Sequence, residues 1–197
     1  MSKSQTVVII LALVAVGVTG RLVPHMPNFA PVTATALFCG AYMTRRQSFV
    51  ALAAVLLVSD YLLLYIKPFG GTSFDHFYAP WQLWHSTLPF IYASFAVSAL
   101  VGWWVKSRRT SGYVVGAALF CSVQFFLISN AGVWMAGMYD RGLDGLLQSY
   151  TMALPFFRGT ALGDLFYTCV FFGGFELASG FSRSLRRGGT SGREVPA

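Results

Sequence analysis

Apolar residues in this chain gather into long runs, and the polar residues between them fall in short clusters. The runs lie at about 5–23, 30–44, 48–67, 86–106, 112–134 and 160–181. An α-helix rises about 1.5 Å per residue, so about 20 apolar residues cross the ~30 Å hydrocarbon core of a bilayer. The pattern therefore predicts an all-α, polytopic membrane protein with six transmembrane helices in one domain, residues 1–182. The third run, FVALAAVLLVSDYLLLYI, and the fifth, YVVGAALFCSVQFFLI, are the clearest. The second is short and holds Pro31, Thr33 and Thr35. Its ~15 residues reach only ~22 Å, so its outer end is expected below the membrane surface, with residues 21–30 dipping in to meet it. Lys3 and the run after it look like a signal peptide, but Val18-Thr19-Gly20 is a poor cleavage site, and the segment reads as a retained first helix.

Composition agrees with lipid as the solvent. Hydrophobic residues make up 55% of the chain and charged residues 11%, where a soluble domain carries about a quarter. The net charge of +7 comes from small groups set between the runs, which reads as topology and not as a nucleic-acid face. Lys3, Arg45, Arg46, Lys106, Arg108, Arg109, Arg183, Arg186, Arg187 and Arg193 fall on one side of a six-span arrangement, and Arg21, Lys67, Arg141 and Arg158 on the other. The positive-inside rule assigns the larger group, and with it both termini, to the cytoplasm of a bacterial inner membrane. Residues 183–197 are expected to form a disordered basic tail.

The loops on the opposite side are the longer ones. PFGGTSFDHFYAPWQLWH (68–85) is rich in Gly, Pro and aromatics. In 135–159, Leu143, Leu146, Leu147 and Tyr150 follow i, i+3, i+4, i+7 spacing, which predicts a short helix lying on the outer surface. Trp81, Trp84, Trp103, Trp104 and Trp134 fall near span ends, as interfacial aromatics do. Cys39, Cys121 and Cys169 each sit inside an apolar run without CxxC spacing or a nearby His, so they read as packed thiols.

Ionisable groups at membrane depth are costly, so each is a candidate for function. Asp60 lies in the outer half of the third span. Asp164 lies in the first turns of the sixth, where a carboxylate also suits the helix dipole, with Thr160 as a possible cap. Glu176 lies near the cytoplasmic end, within reach of water. Three prolines within residues 24–31 exclude a helix there, and non-helical backbone at that depth belongs against protein or along a cavity. Arg21 brings a planar set of donors suited to a carboxylate or phosphate. Asn28 is a candidate cap for the second helix. Asn130 and Trp134 close the fifth span with an amide beside an aromatic, either as cap and anchor or as pocket lining. HExxH, GxSxG and Walker sequences are absent, and His25, His76 and His85 lack ligand spacing, so no enzyme activity, metal or cofactor is expected.

Six helices, short basic cytoplasmic links and long outer loops over a polar pocket resemble the substrate-binding S components of energy-coupling factor (ECF) vitamin transporters. RLVPHMPNFAPVTATALFCGAYM, SDYLL, SNAGVW and LPFFRGTALGDLFY, spanning about 20–175, also resemble an uncharacterised bacterial membrane-protein family grouped with those components. The resemblance implies an S-component-like bundle that binds a small vitamin-like solute from outside. It implies docking on a transmembrane coupling subunit with ATPases through small residues of the first helix, where Leu11, Ala12, Ala15 and Thr19 offer part of a small-xxx-small pattern, namely Ala15 and Thr19. The substrate site expected from the residues comprises Arg21, Asn28, Asp60, Asn130, Trp134, Tyr150, Arg158 and Asp164. In it, Arg21 and Arg158 clamp an acidic group, the Asp residues a basic or hydroxylated one, and Trp134 and Tyr150 supply apolar contact. The rival reading is a membrane scaffold or envelope-assembly protein with no small-molecule ligand.

Overall fold

The computed structural model describes residues 3–23, 26–63 and 85–181. Among them the chain is a bundle of helices: α1 (Lys3–Leu22), α2 (Val32–Tyr42), α3 (Arg45–Leu63), α4 (Leu88–Val105), α5 (Ser111–Met135) and α6 (Leu143–Thr168). A π-helical turn, Cys169–Gly173, carries α6 onward, so helix is continuous over Leu143–Phe181. Five of these helices are long and apolar enough to cross a membrane, and α2 is the shorter sixth.

The distribution of side chains is that of a protein dissolved in lipid. Leu11, Leu57, Leu100, Phe120 and Leu177 are exposed on the outside, while Ser48, Ser59, Ser94, Ser98, Ser122 and Thr168 are buried within. A bilayer gives apolar side chains no reason to hide, so close packing and internal hydrogen bonds hold such helices together. The inner serines follow that logic. Ser48 Oγ donates to Cys39 O at 2.8 Å, and Ser98 Oγ donates to Ser94 O at 3.0 Å.

α2 is the axis of the bundle. Every residue from Val32 to Ala41 is buried, as expected of a helix apolar on all sides. Its Gly40 meets Gly102 of α4 backbone to backbone: a Cβ on Gly102 would lie 2.2 Å from Leu37 O. Phe38 anchors the other side through the rings of Phe171, Phe172 and Phe175. The predicted shortness of this segment holds, and α2 is shorter still.

Residues 26–31 do dip into the bundle. A Cβ on Gly159 of α6 would lie 1.9 Å from Pro27 O, and one on Gly163 would lie 3.0 Å from Phe29 Cα. The two glycines, one turn apart, thus form a trough for an irregular strand of backbone. The Phe29 ring sits 5.6 Å from both Phe166 and Tyr167.

The two short links share one end of the bundle with the basic residues. Lys106 Nζ donates to Met43 O at 3.1 Å, and the guanidinium of Arg109 lies 4.5 Å from the Tyr42 ring centre. Arg45 covers the Trp103 ring at 5.1 Å. Glu176 belongs to the same end and accepts a hydrogen bond from Tyr42 at 2.7 Å.

The last helix corrects the sequence reading. No separate surface helix precedes it: Leu143, Leu146, Leu147 and Tyr150 form the first turns of the same helix that continues through Pro155. Trp81, Trp84, Lys67, His25, His76, nearly all of the 68–85 segment and the 183–197 tail lie outside the described residues.

Candidate functional site

α1 and α3 run side by side in the same direction. Gly17 sets their distance, since a Cβ there would lie 2.6 Å from Val55 Cγ1. One turn further along each helix, the polar side chains meet. Arg21 forms an ion pair with Asp60 Oδ1 at 2.5 Å and also donates to Ser59 Oγ. The second carboxylate oxygen of Asp60 accepts a hydrogen bond from Tyr92 of α4 at 2.8 Å. Three helices are thereby tied at one carboxylate.

The pair keeps some access to solvent, with side-chain exposures of 22% for Arg21 and 16% for Asp60. Beside it lies a cavity of about 820 Å³ lined by Leu57, Asp60, Tyr61, His85, Pro89 and Tyr92, among others. This volume falls in the range of small-molecule sites, about 300–1,000 Å³. The lining pairs flat and aliphatic surface with a carboxylate, an imidazole and phenols, and the guanidinium stands behind the carboxylate. A ligand with a charged head could exchange partners with the ion pair while its apolar part lies against Leu57, Tyr61 and Pro89.

The remaining predicted residues sit elsewhere. Asn130 Nδ2 donates to Phe126 O at 2.8 Å, Trp134 Nε1 to Asp140 O at 3.2 Å and Tyr150 OH to Leu127 O at 2.9 Å. The Asn130 amide thus bonds within α5 and Trp134 holds the turn that follows it, while Tyr150 and Ser149 Oγ, which donates to Asn130 O at 2.9 Å, fasten α6 to α5. Replacing Tyr150 with Phe is therefore expected to lower stability by about 0.5–1.5 kcal/mol, as read by thermal unfolding. Asn28 does not cap α2. It holds a left-handed backbone angle (φ 62°) in an exposed turn, and Pro31 precedes the helix with no side-chain cap. Arg158 is exposed on α6 beside the Gly159 trough.

Asp164 departs furthest from expectation. It is not near the start of its helix, which begins at Leu143, and Thr160 bonds back to Phe156 O within the same helix. Asp164 is 2% exposed. Ser122 Oγ donates to its Oδ2 at 2.7 Å, and the hydroxyl of Thr33, in the first turn of α2, bonds the same carboxylate. Asp164 thus lies in the helical core, and the cavity lining includes Asp60 but not Asp164.

Sequence reasoning did not select Ser59, Tyr92, Ser122 or Thr33 as partners. Ser59 adjoins a flagged aspartate, and Ser122 sits in a polar interruption of the fifth run with Gln124. Nothing local marks Tyr92, whose role depends on how α4 is rotated against α3.

A bundle of apolar-surfaced helices with a serine-rich interior and an ion-paired cavity at one end defines a helical membrane protein. The chain belongs to a family of unknown function (DUF6580), whose model matches residues 1–186. No curated protein and no solved structure matches it.

Proposed function

We propose that this protein is an integral membrane solute-binding subunit that takes a small, vitamin-like nutrient into the cavity beside Arg21 and Asp60. The observation that carries this reading is the Arg21–Asp60–Tyr92 cluster at the wall of an 820 Å³ cavity. Charged pairs inside membranes cost free energy and are found chiefly where substrates or ions pass. The cavity lies at the end of the bundle away from Arg45, Arg46, Lys106, Arg108 and Arg109. By the positive-inside rule it faces outward from a bacterial inner membrane, with both termini in the cytoplasm.

Uptake needs a source of energy, and the chain has no nucleotide-binding motif. Docking on a transmembrane coupling subunit with ATPases, as in ECF transporters, supplies it. In support, Ala15 and Thr19, the small pair of this helix, lie on the exposed side of α1 with Leu11 and Ala12, and small residues allow another helix to approach closely.

The test is a thermal-unfolding screen of the detergent-purified protein against small zwitterionic and acidic metabolites. A solute that binds only the folded state adds about 2.7 kcal/mol at a hundredfold excess over Kd. The screen is expected to find a stabilising solute whose effect disappears in Arg21→Ala and persists in Tyr150→Phe. A solute that stabilises both variants equally would place binding outside this cavity.

A further inference from the structure

Asp164 poses a problem of charge. It is 2% exposed, and among the described residues its polar contacts are hydroxyls, with no Lys, Arg or His paired to it. An isolated carboxylate cannot remain ionised in an apolar medium, because losing its hydration costs far more than two hydroxyl hydrogen bonds return. The Asp60 carboxylate, by contrast, is neutralised by Arg21. The neutral carboxyl is the form that such surroundings accommodate.

A second buried hydroxyl lies one turn along the same helix. Thr168, one turn beyond Asp164 and on the same buried face of α6, is 2% exposed, and its Oγ1 has no hydrogen-bond partner. Residues four apart on a helix lie one above the other. The π-helical turn Cys169–Gly173 begins at the next residue, and such turns inside α-helices are frequent at functional sites. From α5 the Cys121 thiol, which bonds Ser98, also feels the Asp164 carboxylate. From α2 the facing group is the Thr33 hydroxyl, and on α6 Tyr167 turns away toward Gly20 and Phe29. The direct 2.7 Å contact between Ser122 and the carboxylate favours a ligand that occupies no volume of its own.

We propose that Asp164, held by Ser122 and Thr33, forms an intramembrane proton-binding site, separate from the solute cavity, that exchanges its proton with the medium. The carboxyl group gains the proton on one oxygen while the Ser122 hydroxyl holds Oδ2. Because Thr33 lies in the first turn of α2 and Gly163 supports residues 29–30, proton release would place a bare charge against the start of α2. The site does not depend on the solute reading.

The experiment is carbodiimide labelling of the full-length protein with the apolar reagent dicyclohexylcarbodiimide, which adds to protonated carboxyl groups in apolar surroundings. Peptide mass mapping is expected to find the adduct on Asp164 under mildly acidic conditions, with most of it lost under mildly alkaline ones, and sodium ions giving no protection at fixed pH. Asp164→Asn removes it. The wild-type map decides alone if that variant fails to fold, with Asp60 as the ion-paired reference. Absence of an Asp164 adduct in acid, an adduct independent of pH, or protection by sodium would each overturn the proposal, the last in favour of a metal-cation site.

Discussion

Replacing Gly102 with leucine is expected to abolish the folded bundle, with no monodisperse protein recovered from detergent. A Cβ at this position would lie 2.2 Å from Leu37 O and 2.9 Å from Gly40 Cα, and a Cβ on Gly40 would lie 2.2 Å from Ala99 O. These obstacles are backbone atoms, which cannot turn aside as a flexible side chain could. The only relief is to move α4 away from α2, and α2 is enclosed along ten consecutive residues. Overpacking a core commonly costs about 1–3 kcal/mol; separating the central helix from its closest partner exceeds that range, since most neighbouring contacts are lost with it. Gly102→Ala should already lower the unfolding temperature markedly. Gly116→Ala on α5 is the control: nothing lies within 4 Å of a Cβ there, and the change is expected within about 0.5 kcal/mol of neutral. Equal tolerance at Gly102 and Gly116, read by thermal unfolding and gel filtration, would contradict the central placement of α2.

The second large effect concerns Arg21 and Asp60. Removing one partner of a buried ion pair costs roughly 3–5 kcal/mol, because the other charge is left without compensation. The exposures of 22% and 16% set the expected loss for Asp60→Ala near the lower end, about 3 kcal/mol. Arg21→Ala should cost somewhat less, since Tyr92 still donates to the remaining carboxylate. The double variant Arg21→Ala with Asp60→Ala leaves no orphan charge and should be more stable than the sum of the single losses predicts. A coupling of about 0.5–3 kcal/mol is expected for groups in one network. Additive losses in an unfolding cycle would mean that the pair does not form in the membrane.

Much of this fold can be read along the chain, because membrane helices carry their signal in composition. The helices coincide with the first five apolar runs to within a few residues, α3 being described as far as Leu63. The dip before α2 was legible from Pro27, Pro31 and the shortness of the run. What local pattern could not show is whether neighbouring helical stretches join. Pro155 and the polar residues around Arg158 look like the end of a surface helix, yet the helix passes through them. A proline removes one donor and bends a helix, but neighbouring helices in a bundle can hold it together.

The site divides along the same line. Arg21 and Asp60 stand out because each is an ionisable group in an apolar run, but local sequence does not show their pairing: read singly, the one suits an acid and the other a base. They are 39 residues apart in sequence and meet because α1 and α3 are parallel neighbours, a relation no periodicity encodes. Along the chain Asp164 reads as a terminal residue for the same reason that the last helix reads as two. With its helix starting at Leu143, the residue moves from a terminal turn to the core, where its partners come from α5 and α2.

The claim that the Arg21–Asp60 cavity receives a solute is tested most directly by native mass spectrometry of the gently purified protein, compared with its Asp60→Ala variant. The account predicts a stoichiometric small-molecule adduct on the wild type, retained or restored by adding the solute, and absent from the variant. A clean apo mass that no candidate solute alters, or an adduct that Asp60→Ala leaves in place, would contradict it and favour a membrane scaffold whose ion pair only ties α1, α3 and α4 together.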